Sequence, residues 1–161
     1  MTIIEGVQSA PGRRFAIVVS RFNDFVTERL LAGAREGLAA AGVGDGDVTV
    51  LRVPGAYEIP MAAQRAAETG RFAGVVCLGC LIRGATPHFE FISSAVAHGL
   101  QAAAAATGVP VSFGVLTTNS AEEALERAVP GPSNKGWEAA MAAVEMATLF
   151  ARVDVAGSEP A

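Results

Sequence analysis

The chain has 161 residues, of which 51% are hydrophobic and 17% charged, with a formal net charge of −4. That composition excludes a disordered chain, and the acidic balance with no basic stretch excludes nucleic acid as a partner. A single domain over residues 1–161 is expected, large enough to bury roughly 70% of its unfolded surface.

Residues 1–12 read as an arm. Its short apolar segment Thr2–Val7 is cut off from the first long apolar run by Ser9-Ala-Pro-Gly12. It is expected to be a short N-terminal strand at a sheet edge, available for donation to a neighbouring subunit. Arg13-Arg14 precede a five-residue apolar run that Arg21 ends, whereas an export signal needs about 7–15 apolar residues. No run approaches the roughly 18–20 residues of a membrane helix. The expected location is the cytoplasm.

Four runs rich in Val, Ile and Leu come next: Phe15–Val19, Val48–Val53, Gly74–Leu78 and Val111–Leu116. Near-continuous apolar runs predict strands covered on both faces. Between them lie helical patterns. The first runs from Asn23 to Ala41, with Asp24 early and Gly42 as a stop. The second spans Glu58 to Glu68 and stops at Gly70; the third spans Phe89 to Thr107, before Gly108-Val-Pro110. After the fourth strand come Ala121–Ala128 and Asn134–Arg152, separated by Pro130-Gly-Pro-Ser133. This alternation predicts right-handed β-α-β units, an α/β fold with a mostly parallel sheet between helices. The tail 153–161 is small and polar and is expected to be flexible.

Cys77 and Cys80 form the sole C-x-x-C. A redox pair belongs at a helix N-terminus, and a zinc site needs a second ligand pair that the chain lacks. The two read as reduced thiols in or beside a buried strand, with no metal.

Ligands of open parallel sheets bind where strands run into helices, at the carboxyl edge. The loops there are Ser20-Arg-Phe-Asn23, Pro54-Gly-Ala-Tyr-Glu-Ile-Pro60, Gly79 to His88, and Thr117-Thr-Asn119. In the third, Gly84-Ala85-Thr86 precedes a helix start at Pro87-His88. Free N–H groups and the helix dipole make an anion site there, although a plain structural turn has the same signature. His88 can exchange protons near neutral pH or be only a polar helix start. His98, ten residues on, reads as a packing or surface residue. Glu58 complements a helix dipole and also stands at the ligand edge, where it can accept hydrogen bonds from a nitrogen-rich ring. Phe22 at a loop tip can stack on a flat heterocycle. Phe113, inside a strand, reads by default as core. Arg127 and Lys135 bracket the Pro-Gly loop, either as a cationic pair for phosphate or as solvated charges.

Five segments in order carry a resemblance: Val19-Ser-Arg-Phe-Asn23, Val53-Pro-Gly-Ala-Tyr-Glu-Ile-Pro60, Leu81-Ile-Arg-Gly-Ala-Thr-Pro-His-Phe89, Gly114-Val-Leu-Thr-Thr118 and Asn134-Lys-Gly136. From about Phe15 to Phe150 the chain resembles the lumazine synthase (6,7-dimethyl-8-ribityllumazine synthase) family. The resemblance implies a flavodoxin-like three-layer sandwich with a four-stranded parallel sheet. It implies a transferase that condenses 5-amino-6-(D-ribitylamino)uracil with 3,4-dihydroxy-2-butanone 4-phosphate in riboflavin biosynthesis, without a cofactor. His88 would move the proton, and Phe22 would stack on the pyrimidinedione ring. Ala56, Tyr57, Glu58, Cys80, Leu81 and Ile82 would hold that ring and its ribityl chain. Ala85 and Thr86 would bind the sugar phosphate. Phe113, Arg127 and Lys135 would come from a neighbouring subunit of a pentamer. In some members twelve pentamers form a sixty-subunit icosahedral shell, and riboflavin synthase is an expected partner. Tyr57 stands where Phe is more usual, and Glu90 where Asp is. A non-catalytic flavin- or lumazine-binding carrier is the alternative, but it has no use for His88 beside a phosphate grip.

Overall fold

The computed structural model of the chain describes residues 1–158. Among these residues, strands and α-helices alternate as expected. Strand β1 (Phe15–Ser20) leads into helix α1 (Asp24–Ala40), then β2 (Val48–Val53) and α2 (Ile59–Glu68). Next come β3 (Gly74–Ile82), α3 (His88–Thr107) and β4 (Val111–Thr118), and finally α4 (Ala121–Glu126) and α5 (Lys135–Gly157). The four strands form one all-parallel sheet in the order β2-β1-β3-β4. This is the flavodoxin-like α/β arrangement.

Strand periodicity splits the core into two layers. Phe15, Ile17 and Val19 face α1 and α5, joining Leu30, Leu38 and Val144. Ala16 and Val18 face the opposite layer with Ile59, Ala63, Val96 and Leu100 of α2 and α3. Glycines in the left-handed conformation end α1 at Gly42 (φ 83°), α2 at Gly70 (φ 68°) and α3 at Gly108 (φ 69°). Only glycine adopts that backbone without a Cβ penalty, so these stops are where the sequence places them.

Four details depart from expectation. β1 and the body of β3 are buried on both faces, but the edge strands are not: Thr49, Val50 and Arg52 of β2 and Phe113 and Thr117 of β4 are exposed. An edge strand is covered only as far as the flanking helices reach, so an apolar run does not guarantee two covered faces. Phe113 is therefore not core; it is 51% exposed. β3 and β4 each run further than their apolar runs suggest, so Gly79–Ile82 and Thr117–Thr118 are strand rather than loop. Their pairing partner is each other, Gly79 opposite Val115 through Ile82 opposite Thr118. α5 continues past Arg152 to Gly157, drawing the first part of the expected tail into helix, while 159–161 lie outside the described residues.

Among the described residues, the segment Thr2–Val7 pairs with no strand of its own chain. It lies along α5 instead, where the Val7 amide donates to Thr148 Oγ1 at 2.8 Å and Arg152 donates to the Glu5 carbonyl at 2.6 Å. No helix among the described residues is long and apolar enough to cross a membrane.

Candidate active site

The strand order reverses between β1 and β3, which opens a crevice at the carboxyl ends of these two strands. A cleft of about 700 Å³ occupies it. Its walls come from three loops. Phe22 and Asn23 follow β1; Gly55, Ala56, Tyr57 and Glu58 follow β2; Gly84, Thr86 and His88 follow β3, whose last residues Leu81 and Ile82 form the floor. Phe22 and Tyr57 are 69% and 67% exposed, so both rings stand open at the mouth of the cleft.

Local chemistry fixes each wall. The Arg21 and Phe22 amides donate to the Val53 and Pro54 carbonyls at 2.8 and 3.0 Å, binding the first loop to the second. Asn23 takes the left-handed conformation (φ 60°, ψ 46°), the only non-glycine residue with positive φ among those described. It turns the chain into α1 and leaves Phe22 at the tip. Its Nδ2 donates to the Cys80 carbonyl at 2.9 Å. β1 pairs with β3 only as far as Leu78, so this amide serves a backbone acceptor that β1 no longer reaches. A short 3₁₀ turn over Ala56–Glu58 leads into α2, with Ala56 buried and Glu58 half-buried at the mouth.

His88 is the first residue of α3, and it is exposed together with Gly84, Ala85 and Thr86. The turn therefore presents itself at the amino end of a 20-residue helix. His98 sits apart, bonded through Nδ1 to the Ser94 carbonyl at 2.8 Å within its own helix. Cys77 and Cys80 lie buried in β3 with free thiols. Burial pushes the Cys77 thiol far up and that of Cys80 to about 11, so neither is a ready nucleophile.

Phe113, Arg127 and Lys135 are brought together elsewhere. They line a second depression of about 420 Å³ between β4 and α5, which shares no lining residue with the cleft. The Lys135 amide donates to the Arg127 carbonyl at 2.9 Å, holding the two backbones together. Arg127 itself donates to the Glu123 carbonyl at 2.9 Å, and Lys135 Nζ pairs with Glu138 at 2.7 Å.

The position of Lys135 is set by a motif whose purpose the sequence did not disclose. Buried Asn134 caps α5 by accepting from the Gly136 amide at 2.8 Å, and its Nδ2 donates to the Arg29 carbonyl of α1 at 3.2 Å. A Cβ on Gly136 would stand 2.0 Å from the Leu30 carbonyl oxygen. Only glycine lets α5 approach α1 this closely, so the residues either side of Lys135 clamp the two helices together.

This geometry agrees with the comparisons. Residues 12–151 match the family described as 6,7-dimethyl-8-ribityllumazine synthase. The chain belongs to the lumazine synthase family. A protein of that name from Syntrophus aciditrophicus (strain SB) is 51% identical over 152 residues, covering 94% of this chain and 99% of that protein. Of the expected lumazine synthase site residues, the fold gathers Phe22, Ala56, Tyr57, Glu58, Leu81, Ile82, Thr86 and His88 around one cleft. Cys80 and Ala85 adjoin it in sequence, in β3 and in the turn. Asn23, Arg83 and Asn134 were not singled out from sequence, because each acts through a partner far away in the chain.

Proposed function

We propose that the cleft and the groove are two halves of one active site, completed when the groove of one subunit closes over the cleft of the next. The enzyme is a transferase of riboflavin biosynthesis, condensing 5-amino-6-(D-ribitylamino)uracil with 3,4-dihydroxy-2-butanone 4-phosphate to give 6,7-dimethyl-8-ribityllumazine, phosphate and water. The observation that carries the two-halves reading is the separation itself. The aromatic walls and the turn at the head of α3 lie in one depression, while the two cations Arg127 and Lys135 lie in another.

Phe22 stacks on the pyrimidinedione, and Glu58 accepts hydrogen bonds from its polar groups. The backbone of Cys80-Leu81-Ile82, beyond the reach of β1 and apart from the Cys80 carbonyl that Asn23 occupies, offers a strand edge to the ring and its ribityl chain. Amides of Ala85 and Thr86, with the Thr86 hydroxyl, receive the phosphate at the head of α3. Arg127 and Lys135 of the neighbour neutralise it, and Phe113 covers the ring. The uracil amino group then attacks the ketone, and water leaves to give an imine. Phosphate departs by elimination, and after tautomerisation the ring closes with loss of a second water. His88 carries protons between these steps. Holding two substrates in register supplies most of the acceleration.

A head-to-tail arrangement gives every subunit one cleft and one groove in use, and closes as a ring. The assembly proposed is a pentamer, with the sixty-subunit shell as its further form, riboflavin synthase as partner and the cytoplasm as location. Purified protein given both substrates and EDTA should form lumazine and free phosphate in equal amounts. No product at saturating substrate would overturn the site assignment, and sedimentation would report the assembly.

A further inference from the structure

We propose that Arg83 is a positioning residue for the phosphate turn, a brace that sets Gly84-Ala85-Thr86 and His88 without touching substrate. The proposal rests on the assignment of that turn as the phosphate site. An arginine directly before an anion-binding turn would ordinarily be taken as a grip on the phosphate. Its geometry points elsewhere, because the guanidinium is already engaged on three sides. Nε donates to Asn119 Oδ1 at 3.0 Å, one terminal nitrogen pairs with the Glu90 carboxylate, and the plane lies over the Phe89 ring with Cζ 4.5 Å from its centroid. The Arg83 amide also donates to the Thr118 carbonyl at 2.8 Å.

These partners flank the turn. Asn119 directly follows β4, while Phe89 and Glu90 belong to the first turn of α3, directly after His88. One side chain thus pins the leading end of the turn to β4 and its trailing end to the helix that carries His88. The turn has little else to hold it: residues 84–88 are all exposed, and nothing lies within 4 Å of a Cβ built on Gly84. Backbone donors bind an anion well only when their directions are fixed beforehand. The Arg83–Glu90 pair is about half exposed on both sides, so it adds little to global stability. Its effect falls on the turn. A lysine keeps the charge but has neither the fork nor the plane that this arrangement uses.

The test compares Arg83→Ala, Arg83→Lys and Asn119→Ala with the parent enzyme, using inorganic phosphate as probe and competitor of the sugar phosphate. Arg83→Ala should raise the KM for the sugar phosphate and the inhibition constant of inorganic phosphate about tenfold. Arg83→Lys should behave almost as badly, and Asn119→Ala should shift both in the same direction by less. The KM for the uracil and the melting temperature should barely move. Full rescue by lysine would make Arg83 a charge on the ligand and overturn the brace. Equal loss for both substrates with a lower melting temperature would reduce it to a fold contact and overturn it too. Thr86→Ala separates the two proposals: if it leaves phosphate inhibition unchanged, the turn is not the phosphate site and both fall. If it weakens inhibition while Arg83→Ala does not, only the brace falls.

Discussion

The cleft and the groove are built on the same sheet and differ in nearly every other respect. The cleft sits at the switch point between β1 and β3, is walled by exposed rings, and carries the start of α3 with no lysine or arginine in its lining. The groove sits on edge strand β4 and supplies side-chain cations, each already tied to its own chain: Arg127 to the Glu123 carbonyl and Lys135 to Glu138. The difference teaches that aromatic walls and paired cations lie in separate regions of one chain, as the proposed two-halves site requires. One presents aromatic surface. The other presents charge.

Variants can break that division of labour. Arg127→Ala should carry the largest effect, lowering kcat/KM for the sugar phosphate about 100-fold while leaving the uracil's KM nearly unchanged, because a charge-assisted contact is lost from the groove alone. His88→Ala, on the cleft side, should lower kcat roughly 10–100-fold, with His98→Ala close to the parent. Steady-state kinetics with each substrate varied in turn checks both. Equal weakening of the two substrates by Arg127→Ala would mean that the groove has no private ligand.

Mixing sharpens the comparison further. Chains carrying His88→Ala, refolded with an equal amount of chains carrying Arg127→Ala, should recover roughly a quarter of parental activity, since about one cleft-and-groove pair in four joins two intact halves. No recovery would put His88 and Arg127 in a site made by a single chain.

The smallest effect is on the pH dependence of stability, because both cysteines lie buried in β3, in the interior of the sheet. Their folded pKa values are raised by burial from an ordinary 9.0, to about 11 for Cys80 and beyond for Cys77. Below pH about 9 both folded and unfolded chains keep these protons, and stability is undiminished. As pH rises further, the unfolded chain releases them first, so stability falls through the window towards 11 and above. Denaturant midpoints measured from pH 8 to 11 should decline, and Cys80→Ala should flatten part of the slope. A slope unaltered by removal of either thiol would assign the loss to other groups.

Much of this was legible in the sequence because the signals are local. Val, Ile and Leu runs marked four strands, Gly42, Gly70 and Gly108 marked helix stops, and the loop motifs marked both the cleft and the family. What escaped depends on contacts between distant residues. Phe113 read as core since its neighbours in sequence are apolar, and nothing in the run tells an edge strand from a central one. The C-x-x-C stretch Gly74–Ile82 reads as strand, but the apolar run alone stops at Leu78, and only the pairing with β4 decides that Gly79–Ile82 belong to the sheet. Asn23 and Arg83 stood in recognised motifs, yet their roles came into view only with the Cys80 carbonyl and with Asn119 in place. Lys135 could be named as a cation, but not why Asn and Gly enclose it.

The clamp around Lys135 divides the segment after α4 into a part open to variation and a part closed to it. Residues 129–133 bridge two helices in a mostly exposed stretch, so a laboratory library that varied their sequence while keeping Gly131, whose φ of 108° favours glycine, would retain many folded members. Asn134 and Gly136 allow no such freedom, for any side chain at 136 meets the Leu30 carbonyl and drives α5 from α1. An engineer wishing to move the groove's cation towards a bulkier sugar phosphate would therefore gain more from redesigning the loop ahead of Asn134 than from replacing the residues that hold Lys135 in place.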